Sequence, residues 1–443
     1  MASEDDLKLI DSMVQESKKE KIITKSKEME KAFVIIRKFI IDNNLIMYGG
    51  LALNELLPDN LKFYTKDDVP DYDFYSPSGM THAVNLANLL YMAGYNYVEV
   101  NSAIHENTFR VSVNFTVVAD ITNLSQAFFK NLFAISKVEK HHYKFVKNDM
   151  LMTPINLLKF ELYRELAEPN SLFRWRKIYS RMILFCSYHK LPENTGLNLY
   201  NTLKSKRNTF VNTTNSDIKM LIHRVSKYIK EKKLPLIGNA AIGMHFKSKQ
   251  VFLNCCRLDE FFSIFEIMSL DKEKTCQDIE DIFNSCAFKE EWEIIIDQRS
   301  YHAEILPTRN RMYIQNKKTL EKVALLTIFN SNVRCLSYVT INGYAVGGLY
   351  TILSFLYAYT LLYHVYEAET IVNMVFEMIG AVEMFIKNDI HSSIKDTMLT
   401  QCFGFKGSVT VMKKQSFNNT LFNYKPNTND KLVKSKSKSK KKK

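Results

Sequence analysis

Two aspartates, Asp71 and Asp73, flank one tyrosine in the segment Asp71-Tyr-Asp-Phe-Tyr75. Read as a strand, that segment alternates its side chains. Both carboxylates then project from one face about 6.5–7 Å apart along the chain, and Tyr72 and Phe74 point the other way, into a core. Carboxylates held this way repel unless a cation sits between them. An oxygen-only site suits a hard divalent ion such as Mg²⁺, which takes one or two carboxylates and leaves its other positions to water and substrate phosphate. Asp120, closing the run Val111 to Asp120, offers a third ligand from a neighbouring strand. Upstream, Gly49-Gly50 joins a short apolar strand (Leu45 to Tyr48) to the start of a helix (Leu51 to Leu57, closed by Pro58). Backbone N–H groups in such a corner face outward and bind anions. Asp-x-Asp alone is commonly a solvated edge, and Gly-Gly alone is commonly a turn. Together they describe a nucleoside triphosphate site.

The elements that must position these groups are readable from periodicity. Leu7 to Ile41 is predicted to be helical, with Ala32, Ile35, Ile36, Phe39 and Ile40 as its apolar stripe and Asn43-Asn44 as its end. A helix over Thr81 to Ala93 and a strand over Tyr95 to Val100 follow the Asp-Tyr-Asp strand, which Ser76-Pro77 stops. Val111 to Asp120 is predicted to be one strand, with Asp120 on its more polar face. Pro154 to Phe185 is helical in pattern, broken at Pro169-Asn170. A loose internal repeat is also visible. Lys233-Leu-Pro-Leu-Ile-Gly238-Asn-Ala-Ala-Ile-Gly243 echoes Asn44 to Leu53, and Phe265-Glu-Ile-Met268 falls where the Asp-Tyr-Asp strand belongs. The second copy lacks the carboxylate pair, as expected of one active and one degenerate domain.

Composition sets the frame. The chain has 443 residues, 46% hydrophobic and 24% charged, which suits a globular protein of two or three domains and excludes a fibrous or largely disordered one. The net charge is +13, but Lys431 to Lys443 contributes eight lysines and no acid, leaving +5 for the rest. A basic balance fits a polyanionic partner such as nucleic acid. The cysteines show no C-x-x-C spacing, so neither a disulfide framework nor a structural zinc site is expected. Met1 to Glu20 lacks the apolar core of a secretory signal, and a reducing compartment is expected. Leu336 to Tyr366 carries no charge, yet its polar residues, its tyrosines and Gly347-Gly348 favour a strand and helix in a soluble core over a membrane span.

Several segments, in order and at similar spacing, resemble the poly(A) polymerase catalytic subunits of large cytoplasmic DNA viruses of the poxvirus and African swine fever virus type. They are LIMYGGLAL (Leu45 to Leu53), PDYDFYSP (Pro70 to Pro77), HENTFRVSV (His105 to Val113), VVADIT (Val117 to Thr122), MTPINLL (Met152 to Leu158), KFELYRELAEP (Lys159 to Pro169) and RWRKIYSR (Arg174 to Arg181). The resemblance covers most of residues 30 to 190. It implies an α+β protein with a nucleotidyltransferase (polymerase-β-like) domain. The implied layout is an N-terminal helical region (1–44), the catalytic domain (45–190), a helical linker (191–230), a degenerate nucleotidyltransferase-like domain (231–424) and a lysine-rich tail (425–443).

The implied reaction is template-independent addition of AMP from ATP to an RNA 3′-hydroxyl, with release of pyrophosphate. Asp71, Asp73 and Asp120 would hold two Mg²⁺ or Mn²⁺ ions, and Gly49, Gly50 and Lys159 would bind the nucleotide. Many nucleotidyltransferases have Gly-Ser where this chain has Gly49-Gly50, so backbone amides must replace the missing hydroxyl. Arg174, Lys177 and Arg181 share a helix face at i, i+3 and i+7; by themselves they read as a solvated face, and the resemblance makes them RNA contacts. It further implies a homodimer or a separate processivity subunit, no membrane, and a viral protein of the host cytoplasm and virion. A nucleotidyltransferase acting on tRNA ends or on a protein, and an inactive RNA-binding scaffold, are the competing readings.

Overall fold

A computed structural model describes residues 12–13, 29–64, 68, 71–103, 107–140, 149–204, 216–246, 263–299, 305–331, 334–364, 369–388, 401–404 and 422–426. The lysine run from Lys431 and most of the helix expected from Leu7 lie outside the described residues. The chain divides into two compact units, 1–154 with 409–443, and 155–408.

The first unit opens with helix α1 (residues 29–42), which buries Ala32, Ile36, Phe39 and Ile40. Asn44 ends it in a left-handed conformation, φ 52°, which Asn tolerates better than most side chains. Then follow β1 (Ile46–Met47), α2 (Gly49–Glu55), β2 (Tyr72–Ser76), α3 (Gly79–Met92), β3 (Val98–Ser102), β4 (Thr108–Val113), β5 (Thr116–Asn123), α4 (Gln126–Lys140) and β6 (Leu151–Met152). The strands order as β3-β4-β5-β2-β1-β6, and Asn423–Tyr424 adds a further edge strand beside β3. Helix α3 lies on β3, β4 and β5 through Ala83, Leu86, Ala87 and Leu90.

One sequence expectation is corrected here. Val111 to Asp120 is a hairpin, not a single strand, because Asn114 and Phe115 both take positive φ (47° and 60°). A two-residue turn of this kind matches the right-handed twist of its flanking strands, and Asn is among the residues that favour it. The alternation restarts after the turn, and Val118, Ala119, Asp120 and Ile121 are buried in succession. Asp120 is therefore enclosed, 7% exposed, and does not lie on an open polar face.

The second unit contains α5 (Ile155–Ala167), α6 (Trp175–Tyr188), α7 (Leu197–Lys204), α8 (Ser216–Glu231), β7 (Leu236–Ile237), α9 (Gly238–His245), β8 (Phe265–Ser269) and α10 (Lys272–Asn284). Next come β9 (Trp292–Arg299), β10 (Arg309–Asn316), β11 (Lys322–Asn330), β12 (Cys335–Ile341), β13 (Tyr344–Gly347), α11 (Leu349–His364), α12 (Glu369–Asn388) and β14 (Cys402–Gly404). The charge-poor stretch from Leu336 is the expected buried strand and helix, here β12, β13 and α11. No described helix is long and apolar enough to cross a membrane. Against the cysteine reading, Cys335 and Cys402 form a disulfide across the antiparallel pair β12 and β14. They stand 67 residues apart, and only strand pairing brings them together.

The internal repeat is a repeat of topology. Strands β9-β10-β11-β8-β7-β13 follow the same order as β3-β4-β5-β2-β1-β6. Every neighbouring pair has the same sense: β1 with β2 and β7 with β8 antiparallel, β2 with β5 and β8 with β11 parallel, β1 with β6 and β7 with β13 parallel, and the outer pairs antiparallel. Residue types recur at matching places, with Ser76 opposite Asn123 in one sheet and Ser269 opposite Asn330 in the other.

Candidate active site

Strands β2 and β5 run parallel with Asp73 beside Asp120, and Asp71 stands one residue before β2. Each of the three contributes a carboxylate oxygen to a group whose members all lie within 4.8 Å of one another. The support behind them is rigid. Tyr72 and Phe74 point into the core, and the Tyr72 ring packs 5.5 Å from Phe33 of α1. Arg37, also on α1, donates through Nε to the Tyr72 hydroxyl at 2.5 Å. The Asp-Tyr-Asp spacing thus does what strand alternation requires of it, turning its carboxylates one way and its aromatics the other.

Gly49 supplies the space that Asp73 needs. Its φ is +68°, and a Cβ placed on it would stand 2.2 Å from Asp73 Oδ2. Any side chain here would be strained by the backbone and would also collide with the carboxylate. The Tyr48 N–H donates to the Asp73 carbonyl at 2.9 Å and locks the glycine turn against β2. The Tyr48 ring stacks on Tyr75 with centroids 4.1 Å apart, and its hydroxyl pairs with Thr122 Oγ1 at 2.7 Å. Gly49 and Gly50 are the first residues of α2, which is only seven residues long. Their amides, more than a macrodipole, are what this corner offers an anion.

A residue that the sequence reading missed completes the cluster. Arg110 on β4 faces Asp120 across the sheet and clasps its carboxylate with two bonds, Nε to Oδ1 at 2.8 Å and Nη2 to Oδ2 at 2.5 Å. The hydrogen bond to Asp120 is the main influence raising the guanidinium pKa above its usual value, and the charges of Asp71 and Asp73 add to it. The signal was present in HENTFRVSV, where one cation interrupts a strand, but its partner shows only once the hairpin register is known. An all-oxygen donor set of three converging carboxylates, with room made by a glycine, fits a hard divalent cation. The charge of Arg110 offsets their mutual repulsion.

The remaining expected site residues belong to the second unit. Lys159 on α5 is 2% exposed, with Nζ 3.3 Å from the Tyr357 hydroxyl, which donates in turn to Glu383 Oε1 at 2.9 Å. Arg174 pairs with Glu165 at 3.2 Å, while Lys177 and Arg181 lie along the outer side of α6.

Residues 34–171 match the profile of the family described as Poly(A) polymerase catalytic subunit. A protein of African swine fever virus named as a candidate poly(A) polymerase catalytic subunit is 26% identical over 255 residues, 57% of this chain and 48% of that protein. One of the same name from Acanthamoeba polyphaga mimivirus is 42% identical over 91 residues, 20% of this chain and 16% of the other. This chain therefore spans less than half the length of these relatives. The fold is that of the Megavirus polyadenylate synthase crystal structure, with a TM-score of 0.71 at 17% identity over 100% of this chain and 91% of that one. Over residues 34–171 the chain thus carries the poly(A) polymerase catalytic subunit pattern, and along its whole length it has the fold of a viral polyadenylate synthase.

Proposed function

We propose that the protein is a template-independent poly(A) polymerase, which transfers AMP from ATP to the 3′-hydroxyl of RNA and releases pyrophosphate. The observation that carries this reading is the convergence of Asp71, Asp73 and Asp120 beside the glycine turn at Gly49. Asp71, Asp73 and Asp120 would hold divalent ions, Mg²⁺ or Mn²⁺. When bound, such ions lower the pKa of the attacking 3′-hydroxyl and stabilise the charge of the leaving pyrophosphate.

The chain's own residues do the rest. Gly49 and Gly50 would offer their backbone amides to the triphosphate. The buried aromatics behind β2 keep the carboxylates from drifting, and in-line displacement needs that precision of placement. Arg110 holds Asp120 in orientation and neutralises it until cation and triphosphate arrive. Lys159, its ammonium already engaged by Tyr357, takes a structural part in the helices of the second unit. Arg174, Lys177 and Arg181 belong to the RNA-holding surface.

The description of the matched family as a catalytic subunit supports an accompanying subunit for processive synthesis. The viral relatives support a viral protein, for which the host cytoplasm and the virion are the proposed locations. Incubation of an RNA oligonucleotide with the protein, Mn²⁺ and each nucleoside triphosphate in turn tests the reading. Long extension is expected with ATP. Addition of only one or two residues would favour an enzyme acting on tRNA ends instead.

A further inference from the structure

Across the first sheet, in the order β3-β4-β5-β2-β1, the candidate site has two sides. The glycine turn at Gly49 follows β1, Asp71 precedes β2, and the hairpin turn Asn114-Phe115 precedes β5, which runs parallel to β2. Because β1 is antiparallel to β2, all three lie at one end of the sheet. The carboxylates stand in the middle. The glycine corner lies beyond them on the β1 side, and the hairpin tip lies beyond them on the β3 side.

That tip carries two uncovered rings. Phe115 is 83% exposed and Tyr97, the residue before β3, is 61% exposed, and the rings stack with centroids 5.3 Å apart. The Asn114 N–H donates to the Tyr97 carbonyl at 2.8 Å and ties the two together. Register puts Tyr97 on the carboxylate face. Val98, Val100, Val111 and Val113 are buried under α3, so alternation turns Tyr97 the other way with Glu99 and Asn101. On that face Asn101 stands opposite Arg110, and Arg110 opposite Asp120.

Single exposed aromatics are ordinary. Phe115 is not, because it holds φ 60°, where glycine is the usual choice after Asn and a bulky residue is strained. A strained backbone that keeps a large ring in water adds little to folding, and such outliers cluster where a ligand is held. Gly94 to Val98 and Val111 to Ala119 contain no charged residue, so the rings can act by stacking but not by charge. Between them and the carboxylates the face is polar, with Ser112, Asn101 and the ion pair of Glu99 with Lys425. That setting suits a strand of nucleic acid better than the apolar centre of a protein interface.

Resting on the polyadenylation reading for its choice of ligand, we propose that Tyr97 and Phe115 form a platform on which a base near the RNA 3′ end stacks. In-line displacement sets the attacking hydroxyl and the leaving pyrophosphate on opposite sides of the phosphorus. With the triphosphate in the Gly49 corner, the RNA approaches from the β3 side, where the two rings meet it. Thr116, next to Phe115, precedes Asp120 by about 13 Å of strand, or about four nucleotides of a stacked strand at about 3.4 Å each.

Fluorescence anisotropy with labelled oligoadenylate, full-length protein and no ATP tests this. Phe115→Gly removes the ring and relieves the backbone, so thermal unfolding should show no loss of stability. It should weaken oligoadenylate binding by about tenfold, the usual contribution of one stacked base. The slope of log affinity against log salt should not change, because no cation is lost. Phe115→Trp should bind as wild type does. One abasic nucleotide within about four positions of the 3′ end should bring wild type down to the level of Phe115→Gly and leave that variant's affinity unaltered. Equal oligoadenylate affinity of Phe115→Gly and wild type would overturn the platform and assign the rings to a protein partner. An equal further loss by both on the abasic strand would overturn it too. Extension by wild type with ATP at saturating RNA, measured alongside, separates the two ideas. A failed platform with intact extension leaves the polymerase standing, and a confirmed platform without extension leaves only RNA binding.

Discussion

Asp73 and Glu266 occupy the same place in two copies of one topology. Each is the residue of the second strand that lies opposite the residue before the glycine turn, Tyr48 in one sheet and Ile237 in the other. Gly238, like Gly49, has φ near +66°, and a Cβ on it would stand 1.6 Å from Glu266 Oε2. Arg311 faces Thr327 as Arg110 faces Asp120. What differs is the company. Ile264 stands at the place of Asp71, and Thr327 at that of Asp120. The arginine is kept but the carboxylate is lost: Ser263 and Thr327 pair through their hydroxyls at 2.7 Å, and Arg311 Nε donates to Ser263 Oγ at 3.3 Å.

A single carboxylate has no neighbour to repel and needs no cation. Burial, at 1% exposure, pushes the Glu266 carboxyl up to about 7. Tyr359 donates to its Oε1 at 2.9 Å, and its Oε2 has no hydrogen-bond partner among the described residues. The comparison separates two things that a glycine turn and an acid can mean. With two further carboxylates and access, they suit a hard divalent cation; alone and sealed, they make a core contact.

Several substitutions would break or sharpen that contrast. The largest effect is expected of Gly49→Ala, which forces Asp73 out of place and should cost at least about 10²-fold in the rate of ATP addition, with a stability loss held to about 1 kcal/mol of backbone strain because Asp73 is half-exposed and can move. Gly238→Ala should do the reverse. Glu266 is enclosed and cannot yield, so thermal or urea unfolding should show a loss of about 2–4 kcal/mol. Equal effects of the two changes on stability would erase the distinction between an open and a sealed site.

Arg110→Ala tests the counter-ion role. Without metal it should destabilise the protein by about 1–2 kcal/mol, modest because the arginine side chain is 36% exposed. Added Mn²⁺ should raise the melting temperature of this variant more than that of the wild type, since the ion no longer competes with a guanidinium. An equal shift in both would remove Arg110 from the cation site. The smallest effect is that of Glu266→Gln. The folded protein holds the Glu266 proton more tightly than the unfolded chain does, so this group's stabilisation is complete below about pH 4.5 and is lost as pH rises through about 7. Glu266→Gln should flatten the stability profile across that window and leave ATP addition unchanged.

Much of the first site was legible because it is local. Asp71 and Asp73 are two residues apart, and Gly49-Gly50 sits between a strand and a helix, so periodicity alone exposes them. Asp120 was legible as a candidate ligand, but its setting was misread, because Asn114 and Phe115 hide a turn inside an apolar run. Arg110 and the Cys335 to Cys402 bond were illegible for one reason: their partners are set by strand register, which no local pattern encodes. The repeat was legible only as a loose echo. Chain letters diverge while strand order persists, since many side chains can fill one core.

The central claim is that the carboxylates of the first sheet are the active site and that the second sheet carries its sealed counterpart. Primer extension on an RNA oligonucleotide with ATP and Mn²⁺, comparing wild type, Asp73→Asn and Glu266→Gln at equal folded concentration, tests it most directly. Tails from wild type and Glu266→Gln and none from Asp73→Asn are the predicted result. Tailing by Asp73→Asn at near the wild-type rate, or its loss in a folded Glu266→Gln protein, would contradict it.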